Sequence, residues 1–195
     1  MGGLERVRSI LLATLSVTIG VLVLTGIALI FLYVPTESQA WSDVFARGGD
    51  TGVRLADGIR LVHRLAAVLA VPTALASGVL LAVPRRAGAR RRGTGAAIGV
   101  GIILTTVVVS VTGYLLPWDQ LALWAVTVGT NIRGYRWLWD DSVRFVLVGG
   151  VEVTKGTVLG WLVVHALVLT PALVALVALA IRRTHPPRRQ SVTPT

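Results

Sequence analysis

The chain has 195 residues, enough for one domain and too few for two of ordinary size. Apolar residues make up 54% of it and charged residues only 14%, and the mean hydropathy is +0.75. Because soluble domains carry about 25% charged residues, this composition excludes a disordered chain and disfavours a soluble globular domain. Cysteine is absent, which excludes disulfides, thiolate metal sites, iron–sulfur clusters and covalently attached c-type haem.

Four uncharged stretches are each long enough to form a transmembrane helix, since about 20 apolar residues cross a hydrocarbon core about 30 Å thick. They predict an all-α fold, a four-helix transmembrane bundle, within one domain over residues 1–183. The predicted spans cover about 8–34, 57–83, 95–116 and 154–183. The connections outside the membrane are expected to carry short surface helices, among them Gln120–Ile132, which is apolar and too short to span. Residues 184–195 are expected to form a cytoplasmic tail.

The net charge of +10 is confined to one side of the predicted bundle. The N-terminus, the second connection and the tail hold eleven arginines and one glutamate, whereas the other two connections hold eight basic and eight acidic residues. This asymmetry predicts a multi-pass protein of the cell membrane with both termini cytoplasmic, and it leaves no basic excess for nucleic acid to explain. The first span is too long for a cleaved signal peptide. Five of the six tryptophans lie in the two outer connections, as in an aromatic belt.

Two of the three histidines lie inside predicted spans, in the outer half of the bilayer. His63 lies one to two turns into the second span and His165 about three turns into the fourth, and both spans run from outside to inside. Neutral imidazole is a strong ligand of haem iron, and a pair from two facing helices would fill both axial positions. Placement alone leaves two alternatives open: haem ligation, or hydrogen bonds from these histidines to neighbouring helices.

Arginines and glycines accompany the two histidines. Arg60 precedes His63 by three residues on the same helical face and Arg64 follows it, so both are candidates to pair with haem propionates. Snorkelling of both arginines to the membrane surface is the alternative. Gly26 and Gly113 lie level with the histidines and would allow close approach of a flat ring, although glycine is common in membrane helices.

Four segments resemble cytochrome b of quinol–cytochrome c reductase and cytochrome b6. The first is GYLLPWDQLALWAVTVGTNI (Gly113–Ile132), which resembles the stretch from the third helix into the surface helix. YVPTESQAWSDV (Tyr33–Val44) and IRLVHRL (Ile59–Leu65) resemble the b6 branch, and GGVEVTKGTVLGWLVVH (Gly149–His165) resembles the entry into the fourth helix. The resemblance extends over about Leu24–Arg183 and implies the N-terminal four-helix domain of the family.

The resemblance also implies roles for individual residues. His63 and His165 fall on the axial ligands of the outer, low-potential haem b, Arg60 and Arg64 fall beside that haem, and Gly26 and Gly113 fall where glycines make room for its ring. The family normally holds a second, inner haem, with ligands fourteen residues further along. Those positions are Ser77 and Leu179 here, and neither can replace imidazole. On the first helix Leu12 replaces the inner glycine, whereas Gly99 on the third remains.

The resemblance therefore predicts one non-covalent haem b near the outer face, in an electron-transfer subunit of a quinol oxidoreductase that is not catalytic alone. Expected partners are membrane lipid, a quinone, and either a chain that supplies the missing C-terminal cytochrome b helices or a peripheral redox protein. The family's quinol-oxidising site needs a Pro-Glu-Trp-Tyr loop from those helices, and this sequence does not contain it. A haem-free scaffold or anchor for a partner redox enzyme is the alternative function.

Overall fold

The computed structural model describes residues 3–45, 51–83, 89–131 and 154–184, with side chains except at 44–45, 51–54, 89–92 and 127–131. Most residues in these ranges are helical, and none forms a strand. The helices are α1 (Gly3–Ile30), α2 (Ala40–Phe45), α3 (Thr51–Ala82), α4 (Ala89–Leu115), α5 (Gln120–Asn131) and α6 (Lys155–Thr184). Helices α1, α3, α4 and α6 are long and apolar enough to cross a membrane, which confirms the predicted all-α transmembrane fold.

The observed helices match the predicted spans but extend beyond the uncharged stretches at several ends. Helix α1 begins at Gly3, because a helix can continue into charged residues at the membrane surface where hydropathy no longer marks it. Helix α5 confirms the helix predicted at 120–132, and α2 is a second short helix, in the connection between α1 and α3. The predicted tail from residue 185 onward lies outside the described residues, as do Trp137 and Trp139.

The four long helices form a closed ring with alternating direction. Helix α3 packs between α1 and α4, and α6 packs against both α4 and α1. Helices α3 and α6 therefore face each other across one diagonal of the bundle, and α1 and α4 across the other. We call the end that carries His63 and His165 the histidine end, and the opposite end, which carries Arg8 and Arg183, the arginine end.

The half of the bundle toward the arginine end is a packed apolar core. Helices α3 and α4 touch there backbone to backbone, since a Cβ placed on Gly99 would collide with the carbonyl oxygen of Gly78. Arg8 is buried and donates to the carbonyl oxygens of Leu80 (2.5 Å) and Val83 (3.4 Å), at the C-terminal end of α3 where carbonyls lack helical partners. The buried apolar residues of this core are Leu12, Leu15, Ile19, Ala74, Leu81, Ile102, Leu173, Val177 and Ala180.

At the histidine end, a tight turn joins α4 to α5. Trp118 adopts a left-handed backbone (φ 47°), and the next residue, Asp119, caps α5 by accepting a hydrogen bond from the Ala122 amide (2.8 Å). The Trp118 ring packs against that of Trp161 on α6, with centroids 5.5 Å apart. This turn holds α5 against the ends of α4 and α6, at the histidine end of the bundle.

The connection between α1 and α3 is attached to the same end of the bundle. The Tyr33 hydroxyl donates to the carbonyl oxygen of Leu116, and the buried carboxylate of Asp43 accepts from the Val34 amide (2.8 Å). Burial, and secondarily the nearby charge of Asp43, raise the pKa of Tyr33 above its ordinary value. Tyr33 therefore remains protonated as a hydrogen-bond donor to the end of α4.

Candidate functional site

His63 is held by a threonine of the neighbouring helix α1. The Thr25 hydroxyl donates its single proton to the carbonyl oxygen of Val21 (2.6 Å), or at longer range to that of Leu22 (3.2 Å). When this proton is directed to a carbonyl, the same oxygen accepts a hydrogen bond from Nδ1 of His63, 2.8 Å away. Nδ1 then carries the proton, and Nε2 keeps the lone pair that can bind a metal.

His165 is held in the same way by α4. Its Nδ1 lies 3.0 Å from the carbonyl oxygen of Val109 and 3.1 Å from the Thr112 hydroxyl. A carbonyl only accepts, so Nδ1 is the protonated nitrogen here too, and Nε2 again keeps the lone pair. Two diagonal helices thus present two imidazoles, each with its coordinating nitrogen available.

Each imidazole also occupies the space left by a glycine. A Cβ on Gly26 would lie 3.4 Å from Cε1 of His63, and a Cβ on Gly113 would lie 2.8 Å from Cε1 of His165. Thr25-Gly26 on α1 and Thr112-Gly113 on α4 therefore form equivalent dipeptides, in which the hydroxyl orients one ring and the glycine admits it. The sequence interpretation identified both glycines and missed both threonines. A hydroxyl residue immediately before each glycine was the available signal.

We call the level of the two histidines the open layer, because its residues are more exposed than those of the layers on either side. None of the residues 20–30, 61–69, 107–114 or 162–172 is buried, whereas all four long helices carry buried residues closer to the arginine end. Ala56, Arg60, Leu115 and Trp161 are buried on the side toward the histidine end. Within the described ranges no group of three or more His, Asp or Glu side chains could hold a metal ion. The open layer fits a flat group with two axial nitrogen ligands better than a metal ion in a protein cage.

The two predicted arginines differ in position. Arg60 is only 9% exposed, one turn from His63 toward the histidine end, and its Nη1 donates to the carboxylate of Asp57 (3.1 Å). Arg64 is exposed, because one residue along a helix turns the side chain by about 100° away from His63. The structure therefore brings Arg60 to the rim of the open layer and leaves Arg64 at the surface of the bundle.

Helix α6 contains a π-helical segment, Val164–Leu169, that includes His165. A π-turn inserts one extra residue, so positions on the same face lie one residue further along than α-helical spacing predicts. Leu179, fourteen residues after His165, is 50% exposed, whereas Ala180, fifteen residues after it, is fully buried. The fourteen-residue spacing therefore does not place Leu179 in the interior opposite Ser77, and Ala180 occupies that place.

Comparison with known proteins identifies the family. A family model described as cytochrome b/b6/petB matches residues 8–184. The chain belongs to the cytochrome b/b6 family. Its cytochrome b6 relatives include that of Porphyra purpurea, 34% identical over 75% of this chain and 67% of the relative. That of Cyanothece sp. (strain PCC 7425 / ATCC 29141) is 32% identical over 77% of this chain and 66% of the relative.

A solved structure shows the same fold. A chain of a structure titled "Hyperthermophilic respiratory Complex III" matches with a TM-score of 0.72 and 23% identity over 92% of this chain and 47% of that chain. This chain thus spans about two thirds of the length of the cytochrome b6 relatives and about half of the structural neighbour. It corresponds to the N-terminal domain of the family, it is a multi-pass membrane protein, and membership implies binding of b-type haem.

Proposed function

We propose that this chain is an electron-transfer subunit that binds one non-covalent haem b through Nε2 of His63 and Nε2 of His165. One observation supports the proposal: two imidazoles, each hydrogen-bonded through Nδ1 to a neighbouring helix, flank an interior layer in which none of the described residues is buried. Haem b would supply a one-electron couple when bound, and His63 and His165 would hold it.

The surrounding residues orient the ligands. Thr25 and the pair formed by Thr112 and the Val109 carbonyl accept the Nδ1–H protons, which fixes each ring and raises the basicity of the coordinating nitrogen. Gly26 and Gly113 let the imidazoles lie against α1 and α4 rather than across the centre of the layer. Arg60 places a cation at the rim, where propionates would lie.

Packing supports a single haem per chain. At the level of the family's inner haem, Leu12, Ser77 and Ala180 are each no more than 2% exposed, and Gly99 contacts the backbone of Gly78. A second haem would require this core to separate. Electrons would therefore enter and leave near the histidine end rather than cross the whole membrane through this chain.

The arginine excess supports an orientation in the cell membrane with both termini cytoplasmic and the histidine end outside. An alkaline phosphatase fused after Arg92 should then be inactive and one fused near Gly49 active, and the reverse pattern would contradict this orientation. The cytochrome b6 relatives and the Complex III neighbour favour a quinol oxidoreductase as the assembly. The proposed partners are a quinone and either a chain with the remaining cytochrome b helices or a peripheral redox protein.

The proposal is tested in membranes that contain the full chain, by following the α-band of haem b after addition of a quinol. We expect the wild type and a Gly20→Ala control to show a quinol-reducible haem, because a Cβ at Gly20 meets no atom within 4 Å. His63→Ala and His165→Ala should remove it. A wild type without haem would support the scaffold alternative, and a haem that quinol does not reduce would contradict electron exchange with quinone.

A further inference from the structure

The Arg60 guanidinium is the one cation that the structure buries at the rim of the open layer within the described ranges. Among the described residues, its only hydrogen-bond partner is Asp57, through Nη1. A guanidinium carries five N–H donors in a planar fork, so the remaining donors can bind a second carboxylate at the same time. The Asp57 side chain is more than half exposed, so it contacts solvent on one side and the guanidinium on the other.

We propose that Asp57 is a positioning residue for the haem: it holds the Arg60 guanidinium at the pocket rim, and its charge lowers the haem midpoint potential. This inference rests on the proposed function and concerns a residue outside the expected haem contacts. Arg60 lies one helical turn from His63 and Asp57 lies two turns from it, about 4.5 Å and about 9 Å along α3. Both charges therefore act on the haem from nearby, in a layer bounded by apolar helices.

The expected direction follows from the charges. Ferric haem carries one more positive charge than ferrous haem, so a nearby carboxylate favours the ferric state. With Asp57 in place, the guanidinium charge is partly offset and one side of the fork is directed away from the pocket. Without Asp57, the Arg60 guanidinium would turn fully toward the propionate. The loss of the carboxylate charge and the movement of the guanidinium would both favour the ferrous state.

The test is an optical redox titration of the purified haem-loaded chain. We expect Asp57→Asn to lower the ferric-to-ferrous ratio at a fixed potential by about two- to five-fold, the range of one exposed ion pair. At 59 mV per tenfold change in the ratio, this effect corresponds to an upward shift of the haem midpoint potential by about 20–40 mV. Asp57→Ser should raise the midpoint potential by a similar amount. Asp57→Glu should keep the potential near the wild-type value, and Arg60→Gln should lower it.

A double variant separates positioning from simple charge. If Asp57 acts through Arg60, Asp57→Asn should shift the potential less in an Arg60→Gln background than in the wild type. Glu5→Gln is a matched control, since Glu5 pairs with buried Arg8 at the same sequence spacing (2.9 Å). That pair lies about 27 Å along α1 from Gly26, beyond the screening length of about 8 Å, so the potential should not move.

The outcomes distinguish this inference from the proposed function. A normal haem spectrum with an unmoved potential in Asp57→Asn and Asp57→Ser overturns the role of Asp57 alone. An equal shift in the wild-type and Arg60→Gln backgrounds overturns positioning through Arg60. A wild-type chain that binds no haem overturns the proposed function and this inference together.

Discussion

A methyl group at Gly113 should impair the haem site more than one at Gly26. A Cβ at residue 113 would lie 2.8 Å from Cε1 and 3.3 Å from Nδ1 of His165, closer than carbon atoms approach without displacement. At residue 26 the nearest atom is Cε1 of His63, at 3.4 Å, which is near ordinary contact. Gly113→Ala must therefore move the imidazole of His165, whereas Gly26→Ala requires an adjustment of a few tenths of an ångström.

The difference between the two Cβ contacts determines how strongly each substitution should weaken haem binding. Overpacking a fitted interior costs about 1–3 kcal/mol, which corresponds to roughly 5- to 150-fold weaker haem binding for Gly113→Ala. The milder contact at Gly26 should weaken binding less than about five-fold. Alanine also favours helix over glycine by about 0.5–1 kcal/mol, so the helices themselves should not be destabilised. Loss of haem without loss of fold is therefore the expected signature.

The assay is the haem content of purified variants, followed by the rate of haem loss to excess apomyoglobin, with circular dichroism as the measure of fold. Gly20→Ala on α1 and Gly160→Ala on α6 are the controls, because a Cβ at either position meets no atom within 4 Å. If Gly113→Ala retains haem as well as these controls, or if Gly26→Ala is the more damaging change, the assignment of these glycines to the imidazoles is wrong.

Three further predictions concern the ligands, the packed half and the connection between α1 and α3. Thr25→Val and Thr112→Val each remove the hydroxyl beside a histidine Nδ1 and should each weaken haem binding by about 10- to 100-fold, which haem-loss rates measure. Ser77→His/Leu179→His should bind no second haem, since Leu179 faces outward, and two haems per chain by pyridine haemochrome assay would contradict this. Because the pKa of Tyr33 is raised in the folded state, its contribution is complete below about pH 10 and should decline above it. Thermal unfolding between pH 7 and 11 should show this decline in the wild type, and Tyr33→Phe should lack it.

Hydropathy and residue type were enough to predict the transmembrane helices, the surface helix at Gln120 and the two histidines. These features depend on long apolar blocks and on chemically rare side chains, which a single sequence displays directly. The π-turn at His165 could not be predicted, because a one-residue insertion leaves the apolar block unchanged and alters only which face Leu179 and Ala180 occupy. The backbone contact of Gly99 with Gly78 was equally hidden, since glycine is common in membrane helices and its neighbour depends on helix packing.

Hydrogen-bond partners were the other part that the sequence did not predict. Thr25 and Thr112 are ordinary residues of apolar helices until the neighbouring helix places an imidazole beside each. Arg60 was predicted to bind a propionate, and the structure adds Asp57 as its partner within the chain. Both cases depend on rotation and depth of the helices, which are set by tertiary packing.

We propose that the open layer at the histidine end binds one bis-histidine haem b. Haem quantitation combined with a reduced-minus-oxidised spectrum of the purified full chain is the decisive measurement for this proposal. We expect one haem per chain, low-spin in both oxidation states, released by acid–acetone because no cysteine can hold it. Two haems per chain, no haem, or a high-spin spectrum would contradict the bis-histidine haem site.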